Sequence, residues 1–578
     1  MNSADDFRFV RTWWEVASIR LLCPILKKQG NIIDVQAQSR ASTESGQAWA
    51  TFAKGGDYAP FLADIPTVVD WENDGARLKA WVGQLYGGSH WSRQLRSTDS
   101  YFQPGLTWPL RGIRLSAQAV PSVAIFSVGG KMAMTEDRSE LLPLLGLINS
   151  SPFDYFVRVF AGKVGGVQYE AGLIGRVPLP STSDSRITIV VSQACRLVIE
   201  GLSQTEGSRH FGIPGYFQQG CSSIADMRRL WAAATHERAV RLHALQAELD
   251  TIAFELYGIA GTDRNDVNAF LKNTLDADGH PVAQDNGFES GSAPVSAMEL
   301  PRQIASYALG CAFGRWDIEC AAGTRPIPEL PGPFDPLPAY SPGMLNPNDL
   351  KQGEPYPIEI PESGILVDDT DHPDDIVRRV QAALAVIFPN PDEIEAEACE
   401  ILGVKSLREY FRNPKVFFDF HIKMYSKSRR KAPIYWLLQS ANRSYGVWLY
   451  YHKLDADTLF KALRHVVIKV QLEGNLLAER RVHAEAAVSA KEKAALEKEV
   501  EEQEAKVDDI VDFHDKLRRA AELHLVPDLD DGVVLTMAPL HELVPWKEPT
   551  VYWKQLLAGK YGWSSIGKQL REKGLVKA

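Results

Sequence analysis

Residues 87–116 gather four arginines, Arg93, Arg96, Arg111 and Arg114, against a single acid, Asp99, and interleave them with Trp91, Tyr101, Phe102 and Trp108. Each guanidinium is a rigid fork of donors that matches phosphate oxygens and the guanine edge. Flat rings stack or wedge where a duplex is distorted. That combination is the chemistry of nucleic-acid contact, and Arg93, Arg96, Trp108, Arg111 and Arg114 are its candidates. The competing account is a solvated basic loop over core aromatics. Two glycine-flanked lysines are weaker candidates: Lys54, ahead of Gly55 and Gly56, and Lys163, within GKVGG. Glycine lets the backbone come close to a phosphate and the lysine adds a point charge, although an ordinary turn has the same composition.

A second basic run holds Lys423, Lys427, Arg429, Arg430 and Lys431 with no acid between residues 421 and 431, and Tyr425, Tyr435 and Trp436 lie within or beside it. Such a run suits phosphate contacts that hold a protein on a duplex without reading sequence; a solvated face is the alternative. Other motifs carry no chemistry. The stretch 562–568 (GWSSIGK) has phosphate-loop spacing, but Gln569 stands where a magnesium-binding Ser or Thr is needed and no apolar strand precedes it. Glu504-Ala505-Lys506 resembles the end of a nuclease motif but sits in a charged helical run. No nucleophile elbow occurs.

These residues need elements to hold them. Residues 1–185 mix short β-type runs, 67–71, 123–128 and 167–169, with turn punctuation, and the spacing of Leu141, Leu144, Leu145 and Ile148 predicts a helix over 137–160. This is a mixed α/β module. Residues 186–300 form a helical spacer whose segment 245–259 closes at Gly258, followed by a polar linker over 263–296. Residues 301–375 open with a helix at 304–313 and pass into a Pro-rich stretch, 326–361, which cannot be one regular element and is expected to wrap over another surface. Residues 376–578 are mainly helical, with a charged helix over 477–524. Within it Val500, Val507, His514 and Ala521 occupy one heptad position and Leu496, Gln503, Ile510, Leu517 and His524 the other. Gln503, His514 and His524 are poor seam residues, so this is a short, imperfect coiled coil at best. A hairpin packed back on its own domain and a dimer seam account for the pattern equally well, and only all intramolecular packings taken together are favoured over a dimer. The fold class is α+β and multi-domain, with a short coiled-coil-like segment.

Composition sets bounds. The 578 residues are 45% hydrophobic and 24% charged, as in ordinary globular proteins. A net charge of −10 restricts any nucleic-acid surface to a local patch. Six scattered cysteines form no Cys-x-x-Cys pair, which excludes the usual zinc and thioredoxin-like motifs and fits reduced, buried thiols. No segment approaches the roughly 20 apolar residues of a membrane span, and the expectation is a cytoplasmic protein without a membrane partner.

Three segments, 100–109 (SYFQPGLTWP), 144–150 (LLGLINS) and 169–180 (YEAGLIGRVPLP), resemble the TaqI-like specificity domain of enzymes that carry methylase and target recognition in one polypeptide. Further segments, 307–318 (YALGCAFGRWDI), 334–344 (FDPLPAYSPGM), 432–440 (APIYWLLQS), 530–546 and 552–563, resemble the PglX-type adenine-specific DNA methyltransferases of bacterial phage-defence systems, BREX with relatives in DISARM. For that family the resemblance implies N6-adenine methylation of a short asymmetric site from S-adenosylmethionine. The catalytic Asn/Asp-Pro-Pro-aromatic loop has no counterpart: no Pro-Pro pair occurs, and Asn346-Pro347, Asn390-Pro391 and Asn413-Pro414 continue otherwise. No catalytic or cofactor residue carries over. The expectation is a target-recognition portion over residues 1–185. Double-stranded DNA is its ligand, and a separate methyltransferase subunit or domain supplies catalysis and S-adenosylmethionine. Other phage-defence components are further partners. The alternative is a protein-interaction scaffold of a defence complex with no DNA binding of its own.

Overall fold

A computed structural model gives the fold and describes residues 7–24, 32–112, 114–127, 129–162, 167–180, 184–217, 221–272, 296, 298–350, 355–428 and 430–576. It is an α+β, multi-domain protein. Near the N-terminus four strands form a sheet in the order Val10–Thr12, Thr67–Asp70, Trp49–Ala53, Ala124–Phe126; the last pair is parallel and the others antiparallel. Every residue of Trp49–Ala53 is buried, and the strand's alternation divides them between two cores. Trp49 joins Trp13, Trp14 and Val68 on one side, while Ala50 and Phe52 join Val69, Trp71 and Ile125 on the other. A second antiparallel sheet holds Gln118–Val120, Gly105–Trp108 and Lys131–Ala133, and a short ribbon pairs Arg111–Gly112 with Val167–Gln168.

The helix expected over 137–160 is two helices, Leu141–Ile148 and Ser151–Ala161. Pro152 sits in the first turn of the second, and the break frees Asn149 for another use. Its side chain accepts from Ala117 N at 2.8 Å and donates to Ala117 O at 2.9 Å, clamping the break to the sheet. Helices Ser185–Leu202 and Ile224–Leu256 pack on this pair through Ile187, Val190, Val191 and Leu249, in one apolar core that also takes in Phe61, Leu106 and Phe334. Gly146 permits the approach: a Cβ there would lie 2.7 Å from both Ile187 Cγ2 and Val191 Cγ2. The expected linker over 263–296 begins differently, with a helix Gly261–Lys272. Val267 and Leu271 bury against Phe254, and the Phe270 ring stacks edge-on to Tyr155 at 5.3 Å, apolar contacts that a polar composition conceals.

The C-terminal half centres on helix Glu299–Ala312 and an antiparallel sheet, Ile365–Val367, Gly446–Tyr450, Tyr435–Gln439, with all thirteen strand residues buried. The same core includes Trp13 and Trp14. Arg11 ties the first strand to this half, donating to Asp530 O at 2.8 Å and Asp531 O at 3.1 Å. The described part of 326–361 contains no strand or α-helix; Ser122 N donates to Phe334 O, and Arg209 donates to Leu337 O and Pro338 O. The charged helix expected over 477–524 is instead divided between helices Thr458–Ala486 and Ala490–Glu522, which reverse at 487–489 and pack against each other. Gln503 is tolerated in their seam because its Nε2 donates to Glu473 O and Oε2 at 3.0 and 2.8 Å.

Candidate nucleic-acid interface

A cavity of about 780 Å³ opens between the loop that leaves strand Trp49–Ala53, helices Ser185–Leu202 and Ile224–Leu256, and the tip of the ribbon Ser426–Lys427/Arg430–Lys431. Lys54 and Lys427, one from each half of the sequence, both line it and both are exposed. Lys54 is placed by Gly55, whose φ of +87° an L side chain rarely adopts; a Cβ there would lie 3.0 Å from the carbonyl oxygens of Gly129 and Trp108. The Lys54 ammonium sits 5.3 Å from the Phe52 ring centroid. Asp64 lies in the same wall. Burial pushes its carboxyl up to about 6, against the opposing pull of the Lys427 charge and of Ser208, whose hydroxyl donates to it at 3.1 Å. Arg238, from the long helix, donates to Gln204 Oε1 at 3.0 Å, and Trp231 Nε1 donates to the same oxygen at 3.3 Å. Burial lowers the Arg238 pKa, partly offset by Glu200.

Within 87–116 the structure separates the candidates. Arg93, at the end of the short 3-10 helix Trp91–Arg93, and Arg96, on the irregular chain after it, are exposed between helix Glu72–Leu85 and strand Gly105–Trp108, and among the described residues neither lies within 4 Å of a carboxylate. Arg111 is exposed and reaches Gln168 Oε1 at 3.4 Å across its ribbon. Arg114 turns inward, 4.0 Å from Asp154, and lines a smaller cavity of about 220 Å³ with Tyr58, His243 and Asp250. Trp108 corrects the expectation of a stacking ring. It is 1% exposed, and its indole N–H is already donated to Tyr169 O at 2.9 Å. Tyr101 and Phe102 are also buried, so the core account holds for these three rings; Trp91 is half-buried, with the Lys79 ammonium 4.8 Å from its ring centroid.

The second run is divided more sharply. Lys423, on helix Phe417–Met424, and Lys427 are exposed. Arg430 is engaged by Glu15 at 3.2 Å and lies over the Phe7 ring, and Lys431 pairs with Glu548. For these two the phosphate-tracking expectation is corrected: acids distant in sequence hold them. Tyr425, Tyr435 and Trp436 are buried. Lys163 and Arg429 lie outside the described residues. Sequence reasoning missed Arg238 and Asp64, whose neighbours in the chain carry no signal of a cleft. The loop after strand Trp49–Ala53 runs without a helix to strand Thr67–Asp70.

Fold and cleft together define an α+β multi-domain protein with a cation-rimmed cleft. The adenine-specific methyltransferase PglX of Lacticaseibacillus casei (strain Zhang) is 22% identical to the chain over 565 residues, covering 93% of this chain and 41% of its own length. The adenine-specific methyltransferase BrxX of Escherichia coli O9:H4 (strain HS) is 21% identical over 524 residues, covering 86% and 40%. The chain is thus related to the PglX/BREX-type adenine-specific methyltransferases, and it spans about two-fifths of the length of the curated relatives it matches. No family model matches it. Among the described residues no helix is long and apolar enough to cross a membrane.

Proposed function

We propose that this chain recognises the DNA target of an adenine-specific methyltransferase of the phage-defence type. Catalysis and S-adenosylmethionine binding then belong to a methylase portion or subunit distinct from these residues. The observation that carries the reading is the convergence of Lys54 and Lys427 on one cleft in a protein of net charge −10, in a relative of adenine-specific methyltransferases. A local cationic site on an acidic background favours docking at a defined place over diffuse attraction to the whole surface. Arg93, Arg96 and Arg111 are the exposed forks with which bases would be read. The test is selection from a randomised duplex library by the purified chain at physiological salt, with and without a methylase partner. Enrichment of one short motif is expected; no enrichment in either condition would sink the reading.

The scaffold reading has one specific observation in its favour. Ile468, Leu472 and Leu476 are at least 36% exposed and recur every four residues on helix Thr458–Ala486, an apolar stripe suited to a protein partner. It would be favoured by library selection that fails while the chain still assembles with defence proteins.

A further inference from the structure

We propose that two copies of this chain associate through the outer face of helix Thr458–Ala486, packed antiparallel about Leu472. The proposal stands apart from the DNA-recognition reading and holds or fails independently of it. One face of this helix is already used: Ala462, Val466 and Glu473 are buried, and the helix packs against Ala490–Glu522. The opposite face is apolar and uncovered. Among the described residues 22 large apolar side chains are exposed, and six of them, Phe460, Val467, Ile468, Leu472, Leu476 and Val482, lie on this one helix. A helix of 29 residues in a chain of 578 would carry about one by chance, so the stripe is a feature of this element and not the ordinary scatter of surface hydrophobics.

The charges on the same helix identify the occupant. Most of its ionisable side chains between residues 458 and 482 are engaged within the chain. Lys461 meets Asp455 at 2.6 Å, His465 meets His372 at 3.2 Å, and Lys469 meets Asp369 and Glu473. Arg480 donates to Glu499 O at 3.2 Å and Arg481 pairs with Glu504. Arg464 and Glu479 are the exceptions: both are exposed, and among the described residues neither has an ion pair. They stand at the two ends of the apolar run, Arg464 one turn before Ile468 and Glu479 one turn after Leu476. A second copy laid parallel and in register would set Arg464 on Arg464 and Glu479 on Glu479. Reversed about Leu472, it brings Ile468 to Leu476, Leu472 to Leu472, and each Arg464 to within one position of the other copy's Glu479. The surface is complementary to itself, as a two-fold contact requires. The stretch from Phe460 to Val482 is about 34 Å long and about 10 Å wide. That footprint is small beside the roughly 1,200 Å² of stable complexes, so the association belongs to the weak, reversible class, with a dissociation constant on the order of 10–100 μM.

The test is sedimentation velocity of the purified full chain from about 1 to about 200 μM, a range that brackets that constant. The mass is expected to rise from one chain toward two. Leu472→Glu sets two like charges at the axis and should weaken association at least about tenfold; because Leu472 is already 53% exposed, the unfolding midpoint should not move. Arg464→Glu opposes Glu479 with a like charge and should weaken association about threefold to tenfold. Arg464→Glu combined with Glu479→Arg should restore it, a rescue that unspecific apolar adhesion would not give. A single mass at every concentration, or a dimer that Leu472→Glu leaves intact, would overturn the proposal. So would a double reversal that fails to restore association, because the antiparallel charge match is what selects a second copy. A wild-type chain that stays monomeric, and whose assembly with a methylase partner is lost in Leu472→Glu, would give the stripe to that other protein and overturn self-association.

Discussion

Residues 87–116 and residues 421–431 look alike as strings of basic and aromatic side chains, yet the fold uses them in different ways. The first keeps Arg93, Arg96 and Arg111 on the surface with no carboxylate within 4 Å among the described residues. The second engages Arg430 with Glu15 and Lys431 with Glu548, leaving Lys423 and Lys427 exposed. The neutralising acids come from near the two ends of the chain, so counting acids within the run could not reveal them. What makes a basic cluster available to a ligand is the absence of a tertiary partner.

The largest expected effect tests that division. Glu15 is 1% exposed in its side chain and is held by Thr12 N at 2.8 Å as well as by Arg430. Arg430→Ala leaves that buried carboxylate without its ion-pair partner and should destabilise the fold by about 3–5 kcal/mol in urea unfolding. Lys423→Ala, on the exposed side of the same run, should stay within about 0.5 kcal/mol of wild type. Equal stability of the two variants would erase the distinction between structural and available charges.

The next effect concerns sequence choice. Arg93→Ala and Arg96→Ala should each lose about 1–3 kcal/mol against the preferred base at one position of the selected site, measured by competition among single-base variants. Lys427→Ala should behave differently. It should weaken all sequences alike and reduce the slope of log K against log salt by about 1. If Lys427→Ala instead relaxed one position, or Arg93→Ala and Arg96→Ala weakened all sequences alike, the comparison would have to be redrawn.

Much of this arrangement was legible from residue patterns with a local cause. The strand over 67–70, the helix closing at Gly258 and the lack of a strand or α-helix in the described part of the Pro-rich segment follow from alternation, capping and the chemistry of proline. The helix Gly261–Lys272 and the burial of Trp108 were not legible, because partners that decide them, the Tyr155 ring in one case and the Tyr169 carbonyl in the other, are distant in sequence. The same limit hid the cleft. Lys54 and Lys427 each stood out as a candidate, but only packing of the strand end against two helices and a ribbon tip brings them to one site with Asp64 and Arg238.

Asp64 gives the smallest and most specific test. Its pKa is raised from 3.8 to about 6, first by burial, with Lys427, Ser208 and Arg209 pulling the other way. Because the folded value lies above the unfolded one, its contribution to stability is fully present below about 4 and is lost as pH rises through 6. The cleft therefore carries one more negative charge at pH 7.5 than at pH 5, and DNA should bind more tightly at the lower pH, by about 1 kcal/mol or less at an exposed rim. His210, the neighbour of Arg209, is pushed down to about 4 by burial and so stays neutral through this window. Asp531 also sits at about 6 and adds the same sign to a stability profile, but it hydrogen-bonds Ser565 and Ile566, away from the cleft. Asp64→Asn should flatten the pH dependence of DNA affinity between 5 and 7.5 while the Asp531 part of the stability profile persists. An unchanged affinity profile in Asp64→Asn would remove Asp64, and the cleft it lines, from the binding surface and leave Arg93 and Arg96 as the residues to pursue.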